Sequence, residues 1–336
     1  MIELDGSDGG GQLVRSALTL AAATGTAFEM EDIRGSRPTP GLRHQHLAAV
    51  EAVGTLCEAD IDGADIGSER LRFEPRSLSH GQVTVDAGTA ASTTLVCDAV
   101  LPLALVSDGP IDLTVRGGTD VKWSPPLDYH RLVKFPLLRR LGLRASIDLD
   151  RRGFYPAGGG EVTLRLAPSS LAPIELTTAE PVESARVYST ATEGLADANV
   201  AERQMTAAVE RLAERAVPVV ERSTTYVDAD SPGSAVVVRL DRGTVTTGAD
   251  ALGEPGTPAE EVGEAAAERA LEVVDSTAPV DRHLADQLIV FLALSGGEIA
   301  VPAVTDHVAS NASLMAAFDR PVRIEEGDPV TLRRSP

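Results

Sequence analysis

Ile2-Glu3-Leu4-Asp5-Gly6-Ser7-Asp8-Gly9-Gly10-Gly11-Gln12 opens the chain, and the fold turns on how it is read. Ile2 and Leu4 alternate with acidic residues, the period of a short strand. Three consecutive glycines let the backbone approach a ligand closely or make a tight turn. Over 12–23, Leu13, Ala17, Leu20 and Ala21 recur at helical spacing. The stretch therefore predicts strand, glycine turn and helix. Such a helix would aim free N–H groups and a positive dipole end at the turn, which suits an anion. The run is neither G-x-G-x-x-G nor a Walker loop, since no Gly-Lys-Ser/Thr follows. On composition alone, an anion site and a plain tight turn are equally well supported.

Outward from this turn the alternation continues. A strand should end near Ile33, Pro38-Thr39-Pro40-Gly41 forces a turn, and a long helix carries Leu42, His46, Val50, Val53 and Cys57. Strands are expected at 71–73 and 82–85, a buried helix at 94–106, and a strand at 111–115 leading into Gly117-Gly118-Thr119-Asp120. A helix follows at 129–141, which Pro136 should kink. Strands at 145–149 and 161–166 flank a second glycine-rich turn, residues 153–160. The end of the chain predicts a helix at 286–294, a break at Gly296-Gly297, a strand at 298–301, a helix at 311–318 and strands at 322–324 and 330–332. Strands and helices alternating around glycines indicate an α/β fold of repeated units. Identity between the units is too weak to prove a repeat. Residues 183–280 differ: strands at 185–189 and 235–240, helices at 199–216 and 259–274, and no evident chemistry. They read as a smaller α/β domain inserted into a larger catalytic one made of 1–182 and 281–336.

The chain of 336 residues is 43% hydrophobic but only 3% aromatic, so its core must be mostly Val, Leu, Ala and Ile. Against 30 Lys and Arg stand 50 Asp and Glu, a net charge of −20. That excludes a protein that coats nucleic acid through general electrostatics. It leaves room for a local cationic site, the more so in a salty cytoplasm, where screening at ~1 M salt acts within about 3 Å. The acidic runs 58–65 and 260–264 read as solvated faces. Cys57 and Cys97 fit buried hydrophobes in a reducing compartment. No signal peptide and no membrane-length apolar run is evident, so the expected location is cytoplasmic.

Three stretches carry chemistry. Residues 34–46 hold Arg34, Arg37, Arg43, His44, Gln45 and His46, and Arg15 lies one turn into the first predicted helix. Arginines clustered against so acidic a background favour a phosphate site over surface ion pairs. In Thr305-Asp306-His307-Val308-Ala309-Ser310-Asn311, Asp306 is placed to cap a helix, and His307 and Asn311 share one face. A histidine there suits a base, a metal ligand or a nucleophile, although a lone histidine is more often structural. His283-Leu284-Ala285-Asp286-Gln287 offers polar groups to a base or ribose, or is simply a helix start.

Together these stretches resemble the RNA 3'-terminal phosphate cyclase family. The resemblance rests on Leu4-Asp5-Gly6 with Gly9-Gly10-Gly11-Gln12 and Arg15-Ser16-Ala17-Leu18; Ile33-Arg34-Gly35-Ser36-Arg37-Pro38 with Pro40-Gly41-Leu42-Arg43 and Gln45-His46-Leu47; Gly117-Gly118-Thr119-Asp120; Gly153-Phe154-Tyr155-Pro156 with Gly158-Gly159-Gly160-Glu161-Val162; Leu284-Ala285-Asp286-Gln287-Leu288; and His307 with Ser310-Asn311. They run in order along the chain except through 183–280. The resemblance implies a large domain of repeated units, each of two helices on a four-stranded sheet, with a smaller α/β domain inserted. It implies a ligase that uses ATP to convert an RNA 3'-phosphate into a 2',3'-cyclic phosphate. His307 would be the nucleophile that takes AMP from ATP, with release of pyrophosphate. The AMP then passes to the RNA 3'-phosphate and leaves when the 2'-OH closes the ring.

By the same resemblance, Arg15, Arg34, Arg37, Gln45 and His46 would hold phosphates of ATP or RNA. Asp98, His283, Leu284, Ala285, Asp286, Gln287 and Asn311 would bind the nucleotide, and Asp8 would ligate a divalent metal, Mg²⁺ or Mn²⁺. The partner is an RNA 3'-phosphate end, with DNA ends left open. The chain departs from the family pattern at Asp8, shorter than the usual glutamate, at His283 in place of a tyrosine, at Asp98 in place of a glutamine, and at Thr39 where a lysine is frequent. Relatives that lost catalysis and serve ribosome assembly or bind RNA ends are the alternative; they lack the histidine that this chain keeps at His307.

Overall fold

The computed structural model describes residues 1–88 and 90–335. The chain begins with β1 (Ile2–Asp5), α1 (Gly11–Thr24), β2 (Phe28–Glu31), α2 (His44–Leu56), β3 (Asp60–Asp62) and β4 (Leu71–Glu74). β5 (Gly81–Asp86), α3 (Thr93–Val100) and β6 (Ile111–Gly117) follow, then a helical stretch made of α4 (Leu127–Tyr129), a π turn (His130–Lys134) and α5 (Phe135–Arg140), and the hairpin β7 (Ala145–Arg151) and β8 (Gly160–Leu166). β9 (Ile174–Leu176) starts a third set. The chain then leaves it for β10 (Ser184–Thr192), α6 (Val200–Glu214), β11 (Val219–Val227), β12 (Ser234–Arg242), β13 (Val245–Leu252) and α7 (Ala259–Asp275). It returns with α8 (Arg282–Ser295), β14 (Gly297–Val301), α9 (Asp306–Ala317), β15 (Arg323–Glu325) and β16 (Val330–Arg334).

The strand orders reveal the repeat that sequence identity could not. The sheets run β1-β2-β4-β3, β5-β6-β8-β7 and, read from its far edge, β9-β14-β16-β15. In each, the first two strands are parallel and the remaining neighbours antiparallel. The cause is local: the first two strands of a unit are joined through a helix, as a parallel pair requires, and the last two are antiparallel neighbours. Strand alternation buries one face, as with Ile111, Leu113 and Val115 of β6 against Val162, Leu164 and Leu166 of β8. A single apolar core joins the three units. The excursion between β9 and α8 forms a fourth sheet, β11-β10-β12-β13, and its helices α6 and α7 cover a core of their own.

Several details differ from expectation. β11 and β13 belong to the excursion and were not foreseen: β13, Val-Thr-Thr-Gly-Ala-Asp-Ala-Leu, is built of small residues buried on both faces and so lacks a two-residue rhythm. At Pro136, where a kink was expected, the helical run is continuous but irregular. The preceding turn widens to π, with Phe135 N–H donating to His130 O, and Pro136 falls in the first turn of α5, where no N–H is needed. The cap of α9 is Thr305 rather than Asp306; its Oγ1 accepts from Val308 N–H at 3.0 Å. Cys57 and Cys97 are free and buried, as expected of small hydrophobes.

Candidate functional site

α1 starts at Gly11 behind Gly10, with no side-chain cap and no acid in its first turn, so its opening amides are free to meet an anion. Neighbouring backbone pins this turn. Gly6 N–H donates to Glu31 O (2.8 Å), Arg34 N–H to Gly6 O (3.0 Å) and Ser36 N–H to Ser7 O (3.0 Å). Arg37 is thereby brought over the glycines: a Cβ on Gly10 would lie 3.4 Å from Arg37 Nη2. A Cβ on Gly11 would overlap His46 Nε2, so only glycine fits there. Arg34 is held by Gly41 O at 2.8 Å, and burial followed by the charges of Arg43 and Arg37 lowers its pKa. Arg15 is half-buried; burial brings it down to about 10 against the pull of Asp98, which still leaves a full cation at neutral pH.

A cavity of about 1290 Å³ begins at this helix start. It runs between the three-unit body and the excursion, lined by the openings of α1, α8 and α9 and by β13 and α7. Gln12, Arg15, Arg37, Asp98, His283, Asp286, Gln287, His307 and Asn311 all reach it. His307 is half-exposed, and its Nδ1 lies 3.3 Å from Asp286 Oδ2. Asp286 is itself fixed, because Thr305 Oγ1 donates to its Oδ1 at 2.5 Å. Gln12 Nε2 donates to Ser310 Oγ at 3.5 Å, linking the glycine-turn helix to the helix of His307. Three acceptors on this cavity, Gln287 Oε1, Asn311 Oδ1 and Asp250 Oδ1, are buried without a hydrogen-bond partner among the described residues. Buried acceptors are ordinarily hydrogen-bonded, so these three can take donors from a ligand or from water.

Other expected residues are not brought to the cavity wall. His46 is 1% exposed; its Nδ1 accepts from Arg43 N–H at 2.9 Å and closes the capping box of α2. Burial first, then Arg15, Arg34 and Arg43, hold its pKa down to about 3, so it is a neutral brace under the glycine turn. Gln45, 3.4 Å from His46 Nε2, sits beside that brace. Leu284 and Ala285 are fully buried and present no side chain to a ligand. Asp98 lines the cavity, but its Oδ1 meets Lys134 Nζ at 2.6 Å and His130 Nε2 at 2.9 Å. Burial alone would raise that carboxyl; Lys134 and His130 outweigh it and hold it well below the usual range. Asp98 is therefore, through Oδ1, the counter-ion of a buried lysine, while its side chain also lines the cavity.

Asp8 is exposed on the turn. Among the described residues no three His, Cys, Asp or Glu side chains gather as a metal-binding group. A single carboxylate suits a Mg²⁺-like ion that keeps its waters and arrives on substrate phosphates, so Asp8 fits such an ion without a protein cage.

Sequence reasoning missed several wall residues. Lys134 sits 36 residues from its partner Asp98, beyond any local pattern. Asp250 comes from the excursion, where burial raises its pKa to about 6 against the charges of His283 and Arg269. Asp281, the cap of α8, accepts from His283 and Leu284 N–H, Tyr129 OH, Thr247 Oγ1 and Gly248 N–H.

An uncapped helix start beside buried acceptors suits a ligand that carries both anionic oxygens and hydrogen-bond donors, as a phosphorylated nucleotide does. An imidazole held by a carboxylate on the same wall has the chemistry of a nucleophile or a base. The comparisons make the class specific: the chain belongs to the RNA 3'-terminal phosphate cyclase family, whose members use ATP. The family profile, described as "RTC: RNA 3'-terminal phosphate cyclase", matches residues 7–322. An RNA 3'-terminal phosphate cyclase of Halobacterium salinarum is 46% identical over 336 residues, covering 97% of each chain. Those of Methanopyrus kandleri and Pyrococcus furiosus are each 42% identical, covering 100% and 95% of this chain and 99% and 93% of their own. Among solved structures, the enolpyruvyl transferase NikO of Streptomyces tendae aligns with 98% of this chain and 65% of its own at 13% identity and a TM-score of 0.28, too slight a likeness to argue from. No helix among the described residues is long and apolar enough to cross a membrane.

Proposed function

We propose that His307 is the nucleophile of this cyclase and that the cavity between the body and the excursion is its active site. The carrying observation is the carboxylate on Nδ1. With Asp286 beside it, the neutral ring keeps its proton on Nδ1 and leaves the Nε2 lone pair for phosphorus. Nε2 attacks the α-phosphorus of ATP, the bond to the bridging oxygen breaks, and pyrophosphate leaves. Asp286 stabilises the charge that spreads over the ring as the N–P bond forms. An oxygen of the RNA 3'-phosphate then displaces the imidazole from AMP. Finally the 2'-OH attacks the activated 3'-phosphorus, loses its proton and expels AMP, leaving the cyclic ester.

Arg15, Arg37 and the free amides of α1 hold the anionic oxygens, and Arg34 supports the loop that carries Arg37. Gln287 and Asn311 offer their unpartnered oxygens to donors of the nucleotide, and His283 lies at the same helix start. Asp8 is the group suited to hold a divalent ion, which would neutralise triphosphate charge. The substrate is an RNA 3'-phosphate, DNA ends being a separate question for assay. In this reading 183–280 form an inserted domain that closes one side of the site, the rest of the chain forms the catalytic domain, and the enzyme works in a reducing cytoplasm that keeps Cys57 and Cys97 as thiols.

The test is direct. Incubation with ATP labelled at the α-phosphate should leave acid-labile, alkali-stable label on the protein, and His307→Ala should abolish it. Label persisting in that variant would move the nucleophile elsewhere.

A further inference from the structure

Trp123 is the only tryptophan of the chain, and it is 94% exposed. Its backbone stands at φ 63, a left-handed conformation that a bulky residue enters only at a cost. The loop around it is well anchored. Thr119 N–H donates to Gly153 O (2.8 Å), Leu127 N–H to Thr119 O (3.0 Å), Ser124 Oγ to Val121 O (2.9 Å) and Thr94 Oγ1 to Pro125 O (3.1 Å). Beneath it, Asp120 is buried against Arg152. A fixed loop thus holds the largest apolar side chain out in water at the rim of the cavity, where Lys122 and Pro125 also line the wall. Core packing explains neither the exposure nor the conformation.

We propose that Trp123 is a stacking platform for a base in the 3'-terminal segment of the substrate RNA. The inference rests on the assignment of the cavity as the active site. The cavity is only somewhat larger than the roughly 300–1,000 Å³ of small-molecule sites. It has room for a nucleotide and a terminal phosphate, so a polynucleotide must leave over the rim. The orphaned acceptors that suit the adenylate, Gln287 Oε1 and Asn311 Oδ1, are buried in the wall, whereas the indole meets the cavity only at its solvent-exposed rim. Every base has a π face, so stacking accepts any terminal sequence. In a chain of net charge −20, general phosphate attraction is unavailable; stacking supplies affinity that does not depend on it.

A lone tryptophan is its own reporter. Titration with a short 3'-phosphorylated oligoribonucleotide should quench its fluorescence saturably, ATP alone should change it little, and an oligonucleotide abasic over its last nucleotides should quench weakly. Trp123→Ala should raise the KM for RNA about tenfold, the loss of one stacked base. The KM for ATP should move less than twofold, and Trp123→Phe should restore most of the RNA affinity. Labelling by ATP is measured alongside: a parent protein that takes no label overturns the cavity assignment and the platform with it. If the parent takes label, but Trp123→Ala keeps the parent KM for RNA, or if ATP and not RNA quenches the indole, the platform alone is overturned.

Discussion

Acid should destabilise this protein through His46, by an amount that can be isolated. The ring is 1% exposed, and its folded pKa is depressed to about 3 from an ordinary 6.5. Between those values the unfolded chain binds a proton that the folded one refuses. The stability tied to the neutral ring is therefore present in full above pH 6.5 and drains away as pH falls toward 3. At pH 5, one and a half units below 6.5, the loss is about 2 kcal/mol at about 1.36 kcal/mol per unit. His46→Gln removes the titration while keeping a side chain that completes a capping box at this position. Urea unfolding of parent and variant at pH 7 and pH 5, in one fixed salt concentration, gives two pH-dependent differences in stability. All other titrating groups cancel between the two proteins. The parent should lose about 2 kcal/mol more than the variant; equal losses would mean that the ring protonates freely in the folded state and that its burial has been misjudged.

Asp286→Asn should leave the unfolding midpoint nearly unchanged yet slow labelling by ATP at least about 10-fold, because the imidazole loses the carboxylate that orients it and balances its charge; labelling at the parent rate would separate Asp286 from the chemistry. Asp98→Asn leaves Lys134, 1% exposed, with a buried uncompensated charge and should cost about 3–5 kcal/mol by urea titration. Adding Lys134→Met should recover most of that, so additive costs would contradict the pairing. Gly11→Ala puts a methyl group into the His46 ring and should destabilise by about 1–3 kcal/mol, although alanine is the better helix former. A more stable Gly11→Ala protein would show that the ring moves aside at little cost.

The glycine turn was legible in the sequence because only a narrow set of residues makes such a turn, and the arginines of 34–43 because they stand out from an acidic chain. The unit pattern was legible as alternation but not as repetition, since strand order is carried by burial pattern and connection geometry, which tolerate near-complete change of residues. β3 and β9 are three residues each and leave no measurable period. Asp98 and His46 show what residue type alone leaves out. A carboxylate and an imidazole in the right stretches read as ligand contacts, and the fold gives each a partner that the sequence did not show: Lys134 for one, the start of α2 for the other. Trp123 gave no signal, because exposure and backbone conformation are properties of the folded loop.

The carboxylate of Asp281 has a consequence for how the enzyme can be shortened or reshaped. One oxygen pair ties Tyr129 from the second unit, Thr247 and Gly248 from the excursion, and the first amides of α8 from the third. Deleting the excursion would not merely open one flank; it would unfasten the helix that presents His283, Asp286 and Gln287. Grafting or trimming here should respect that knot, and a minimal version of the enzyme must keep β13 even if it discards the rest.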